Sequence, residues 1–292
     1  MSEFTGKGVR RLAPGRHFFL VLIAISALLT SGLACAASGE DSAKALEEDS
    51  IGKGIQATIE DARALATAPL RMDREDLLAT GGALAVVGGF FAADHGIRDL
   101  VQRNTTAKVL DVADGFNTFG SAGVLLGLNA GVIALGVAKQ SYGGSSHLKD
   151  AGLISLEAEL FAVAATTALK ELTGRATPDK GQGTTHFRPF SGFDTSFPST
   201  HAAASFAVAS VFAERFEPPV GWVAYGLASA VAVSRVYTDK HFASDVVAGG
   251  LIGWGLGKFL SRRHGADPSE WRVRPMAMEH GLGGGLMVGK QF

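Results

Sequence analysis

Between residues 77 and 260 the chain is a succession of apolar stretches, near 77–93, 115–138, 151–170, 199–213, 220–235 and 243–260, separated by short polar loops. Their lengths suit helices and exceed what strands ordinarily use. Ala, Gly, Leu and Val dominate them, which favours closely approaching helices over a sandwich of sheets. The expected fold class is therefore all-α, a bundle of about six helices. After Arg262 the run "WRVRPMAMEHGLGGGLMVGKQF" reads as a short extended or hairpin tail around a glycine turn. Gly283–Gly285 lack a following Lys-Ser/Thr pair and any helix to open, so they are not a phosphate loop. The expected organisation is 1–36 as a signal, 37–76 as a polar lead-in, 77–262 as the helical domain and 263–292 as the tail.

The N-terminus has the order of a secretory signal. Lys7, Arg10, Arg11 and Arg16 precede "FFLVLIAISALLTSGLA", and Ala34 and Ala36 offer a small-residue cleavage site. This implies an exported protein of a bacterial cell envelope. A formal charge of −1 and the lack of any Lys/Arg run exclude a nucleic-acid partner. Cys35 is the single cysteine, so neither disulfides nor a thiolate metal cluster are available. Segments 77–93 and 115–138 carry no charge and approach or exceed the roughly 20 residues that cross a bilayer. Membrane association follows. With a cleaved signal, three crossings would leave Lys170 on the cytoplasmic side. Either one segment does not span, the signal is misread, or the bundle is a soluble periplasmic domain.

Polar residues gather at three places: "KELTGRATP" (170–178), "SFPSTHAAAS" (196–205) and "SRVYTDKHFASD" (234–245). In an antiparallel bundle these are the end of one helix, the start of the next, and a later end and start. Lys170, Arg175, Ser199, His201, Arg235, His241 and Asp245 then share one rim. Cations, hydroxyls and a helix N-terminus opening at Pro198–Ser199 make an anion site suited to phosphate. His241 and Asp245, four residues apart, share a helix face, so the carboxylate can hold one ring nitrogen while the other attacks phosphorus.

These clusters resemble the signature of the type 2 phosphatidic acid phosphatase (PAP2)/vanadium haloperoxidase superfamily, K-x6-R-P, P-S-G-H and S-R-x5-H-x3-D. The third motif matches at Ser234, Arg235, His241 and Asp245, and by chance alone it would arise about once in a thousand such chains. The second matches at Pro198, Ser199 and His201, with Thr200 in place of Gly. The first matches at Lys170 and Pro178, with Thr177 in place of Arg. The resemblance covers about residues 150–260. It implies a PAP2-type helical bundle hydrolysing a phosphomonoester or pyrophosphate, on a lipid, without metal or other cofactor. His241 would be the nucleophile, Asp245 its orienter, and His201 the acid and then the base. Lys170, Ser199, Thr200 and Arg235 would hold the phosphoryl oxygens.

Thr177 removes a guanidinium from that cradle, and losing one oxyanion donor typically costs roughly 2.7–4 kcal/mol. Arg175 is the expected substitute, with Arg188 the other arginine nearby. The alternatives are a soluble acid phosphatase acting on small phosphomonoesters, or a silenced phosphate- or phospholipid-binding protein. A haloperoxidase and a multi-pass transporter are less well supported. Asp94–His95 is expected to cap or turn the first apolar segment. Of Glu157 and Glu159, one is expected to face a polar groove or solvent, with a second acidic site the alternative, and His186 is expected to be a solvated loop residue. His147, His264 and His280 have no neighbours that suggest chemistry.

Overall fold

The computed structural model describes residues 40–192 and 195–265 (40–51 by their backbone alone), and the backbone of 271–277 and 284–290. The predicted signal lies outside the described residues. The chain divides into two units, 1–71 and 72–292. In the first, the lead-in forms a helix, α1 (Glu40–Thr67), ending in a 3-10 turn at Ala68–Arg71.

The second unit holds α2 (Arg74–Arg103), α3 (Ala107–Phe119), α4 (Ala122–Ser141), α5 (His147–Thr173), α6 (Thr200–Arg215), α7 (Pro218–Tyr237) and α8 (Ala243–Arg263). Strands β1 (Trp271–Ala277) and β2 (Gly284–Lys290) pair antiparallel, the hairpin expected for the tail.

Two sequence expectations are corrected. The 115–138 stretch is not one helix: it breaks at Gly120–Ser121 into α3 and α4. Gly120 sits against α7 so tightly that a Cβ there would lie 2.1 Å from Val231 Cγ1. Asp94 does not end its helix either. α2 starts at a reciprocal Asp73–Asp76 capping box and runs on to Arg103.

α6 is the central helix. Its small residues Ala202, Ala203, Ala204, Ala207 and Ala209 are buried, and α5, α7 and α8 pack around it. Ile154, Ala158 and Ala162 of α5 and Leu260 of α8 close the core against Ala203, Ala207 and Val211. The outer faces are apolar instead of charged: Leu84, Leu135, Trp222, Val223 and Val233 are exposed. Among the described residues, α2, α4, α5 and α7 are long and apolar enough to cross a membrane. At 13 residues α3 is about 20 Å long, too short for a hydrocarbon core of about 30 Å.

α2 carries its C-terminal half to the site, and α3 lies at that end, where Asn117 meets Arg235. α4 leads away and α5 returns. Arg74 and the site therefore stand at opposite ends of the bundle, three passes apart.

Candidate active site

α5 ends at Gly174, whose left-handed backbone (φ 60°) turns the chain back over the helix end. A Cβ there would sit 1.7 Å from the Arg188 carbonyl oxygen, so glycine is required for the turn and for the close approach. The loop that follows is stitched by Ala176 N–H to the His186 carbonyl and Ser196 N–H to the Arg175 carbonyl. It ends at Ser199, the N-cap of α6, whose hydroxyl accepts from Ala202 N–H at 3.4 Å. Ser199 N–H in turn donates to the Asp245 carbonyl at 2.9 Å, tying the start of α6 to the start of α8.

The ends of α5 and α7 and the starts of α6 and α8 thus meet, as the motif spacing predicts. Lys170 is almost wholly buried, and its ammonium donates to the Thr195 carbonyl. Arg235 donates to Asn117. His201 and His241 lie within electrostatic range of each other and of both cations. Burial, then Arg235, His241 and Lys170, push the His201 imidazole down to about 3, so it is neutral at ordinary pH. Burial also lowers His241, with Asp245 opposing. The Asp245 carboxylate stands 3.8 Å from His241 Nδ1, an ion-pair distance, and must close by about 1 Å to hydrogen-bond. Thr200 accepts a hydrogen bond from Thr166 at 3.2 Å.

Arg175 is the residue whose expected role the geometry corrects. It is fully buried, and all five guanidinium N–H groups are engaged. Nε donates to the Thr184 carbonyl (3.0 Å), and Nη2 donates to the same carbonyl (2.7 Å) and to Asp94 (2.7 Å). Nη1 donates to Ser244 Oγ (2.8 Å) and Asp245 (2.6 Å). The Phe91 and Phe242 rings flank it at 4.5 and 4.3 Å. No donor remains for a phosphate. Arg188 is exposed at the loop surface. Thr177 donates to Asp179, whose other carboxylate oxygen accepts from Lys240 at 2.7 Å. Lys240, next to His241 in the chain, is thereby linked to Thr177 through Asp179.

Sequence reasoning missed Asp94, Asn117, Ser244 and Lys240. Asp94 had a signal: it is an acid directly after a charge-free run, and such residues inside apolar segments are seldom idle. Glu159 is wholly buried and accepts from Asn129 at 2.8 Å, while Glu157 is the partly exposed member of the pair.

Residues 151–267 match the model of the PAP2 superfamily. The chain is 30% identical over 100 residues to the lipid A 1-phosphatase of Porphyromonas gingivalis, covering 32% of this chain and 22% of that protein. It is 38% identical over 60 residues to the bacitracin transport permease protein BcrC of Bacillus licheniformis, 20% of this chain and 29% of that one. The matches thus span under a third of either relative's length. The crystal structure of the transmembrane PAP2-type phosphatidylglycerolphosphate phosphatase from Bacillus subtilis shares the fold. Its TM-score is 0.50 at 21% identity, covering 62% of this chain and 94% of that one. Residues 151–267, which hold the three clusters, are thus similar to the PAP2 superfamily, and the all-α bundle shares its fold with a PAP2-type structure.

Proposed function

We propose that the protein is a membrane phosphatase that moves the phosphoryl group of a lipid phosphomonoester or pyrophosphate to His241 and then to water. The observation that carries this reading is the meeting of two imidazoles with Lys170 and Arg235 at the N-terminus of α6, with Asp245 behind His241. Phosphate binds where cations and free helix N–H groups converge. His241 Nε2 attacks phosphorus, the P–O bond to the leaving group breaks, and His201 gives that oxygen its proton. His201 then takes a proton from water, the water oxygen attacks phosphorus, and the P–N bond breaks to release phosphate. Asp245 stabilises the imidazolium character of His241 throughout.

His201 is neutral at ordinary pH, yet the first step needs it protonated. A phosphoryl dianion arriving between Lys170 and Arg235 offsets the charges that depress His201, so proton uptake accompanies binding. Lys240 supplies the charge lost at Thr177, drawn between Asp179 and the phosphoryl oxygens.

A lipid substrate is favoured by the apolar exterior and by a groove of about 690 Å³ beside the site, lined by Phe90, Val101, Phe206, Val236, Val246 and Trp254. The likeness to a lipid A 1-phosphatase supports the same choice. A second reading, a phosphate binder without turnover, is favoured by Thr177 alone.

Phosphate release by the full chain in detergent with EDTA, on phosphatidic acid and on a chromogenic phosphomonoester, separates the possibilities. Faster release from the lipid supports the proposal. Faster release from the small ester indicates an acid phosphatase. Vanadate binding without release from either indicates the binder. We place the site on the periplasmic face. Three passes then put Arg74 in the cytoplasm, at odds with a signal cleaved after Ala36. Cysteines introduced at positions 74 and 180, labelled from outside intact cells, report which of the two expectations holds: labelling at 180 alone is the periplasmic result.

A further inference from the structure

We propose that Asp94, on α2 and outside the region matched to the family, is a positioning residue that keeps the Asp245–Arg175 pair net negative toward His241 by sharing the charge of Arg175. The inference rests on His241 being the nucleophile, and it explains why an arginine sits against the carboxylate that must serve that histidine.

Asp245 alone with Arg175 would be a neutral pair. Its Oδ1 accepts from Nη1 at 2.6 Å, and Oδ2 accepts from Phe242 N–H at 2.7 Å. A carboxylate so neutralised does little for an imidazole that becomes cationic in the reaction. Asp94 changes the balance. It takes the second arm of the same guanidinium at 2.7 Å and accepts from Ser244 N–H at 2.9 Å and Ser244 Oγ at 2.6 Å. The group Asp94–Arg175–Asp245 carries one net negative charge, and every member is buried. Burial leaves these charges little screened. Ser244, the neighbour of Asp245, is held by both Arg175 and Asp94. The network therefore fixes the first turn of α8 as well as its charge.

Other groups face His241 and are left unchanged by substitutions at 94 and 175. They are Lys170 on α5, His201 on α6 and Arg235 on α7, with Lys240, already paired to Asp179, on its own loop. Asp239 of the same loop is paired with Arg98 of α2.

The test is the titration of His241 itself, followed by nitrogen NMR of histidine-labelled full-length protein in detergent. The signal is assigned by its loss in His241→Ala. Asp94→Asn leaves the whole charge of Arg175 on Asp245 and should lower the His241 pKa by about one unit. Arg175→Met should raise it. The double variant restores one net negative charge and should return His241 close to wild type. Opposite shifts that cancel are not what a merely structural role gives. Should Arg175→Met unfold, Asp94→Asn against the double variant carries the comparison. Identical titrations, or shifts of one sign in every variant, overturn the inference. The pH dependence of kcat/KM on a phosphomonoester, measured alongside, should move its acid limb with the titration. Titrations that shift as stated with no turnover in any protein would leave the network standing and remove the phosphatase reading.

Discussion

Gly253 of α8 faces α6 across the closest helix approach near the site. A methyl group there would lie 2.0 Å from the Ala203 carbonyl oxygen and 2.9 Å from Ala207 N. The first contact is about 1 Å inside any tolerable carbon–oxygen approach, and both partners are backbone that cannot rotate away. Gly249 and Gly257, one turn to either side, meet Ser199 and Ala207 as tightly. Gly253→Ala must therefore drive α8 from α6 by about 1 Å, an overpacking that costs about 1–3 kcal/mol. The helix-propensity gain of about 1 kcal/mol offsets part of this. The displacement separates His201 on α6 from Asp245 on α8, and a shift of that size costs about a hundredfold in turnover. Gly255 on the same helix is the control: nothing lies within 4 Å of its would-be Cβ. Gly255→Ala should be neutral or stabilising by up to about 1 kcal/mol. Thermal unfolding in one detergent, with phosphate release on each variant, reads both effects. A Gly253→Ala protein as stable and active as Gly255→Ala would refute the packing argument.

Two further outcomes follow from the site. Lys240→Ala should lower kcat/KM by about a hundredfold or more, as loss of an oxyanion donor does. Adding Thr177→Arg to it should restore most of the activity by returning the family's own cation; a double variant as slow as Lys240→Ala would contradict the assignment. For pH, His201 is held neutral down to about 3 in the folded chain against 6.5 unperturbed. Between those values the unfolded chain binds a proton that the folded chain does not, so stability is complete above 6.5 and declines as pH falls toward 3. His201→Gln should flatten the dependence of Tm on pH across this window, and an unchanged slope would contradict the burial of His201.

What the sequence disclosed and what it concealed divide by range. His241 and Asp245 were legible because their partnership is local, four residues along one chain segment. The convergence of Lys170, His201 and Arg235 followed from alternating helix ends in an antiparallel bundle. Arg175 was misassigned because its partner Asp94 lies 81 residues away on a helix the motifs do not include. Asp94 was taken for a cap because it stands where the first apolar segment ends. The helix continues regardless, since Arg98 is matched by Asp239 at 2.7 Å. The break at Gly120 was hidden in a stretch where glycine is common, and only the approach of Val231 makes that one glycine indispensable. The spacing of Gly249, Gly253 and Gly257 was visible as a four-residue repeat, but its meaning depends on which helix lies opposite.

The central claim is that phosphoryl transfer passes through His241. Brief reaction of the full chain with a radiolabelled lipid phosphate, then quenching in alkali, should leave label on the protein that is stable in base and lost in acid. His241→Ala should carry none, while in His201→Gln both the gain and the loss of label should be slower than in the unaltered protein. Label on the His241→Ala protein, or full phosphate release by it, would contradict the account.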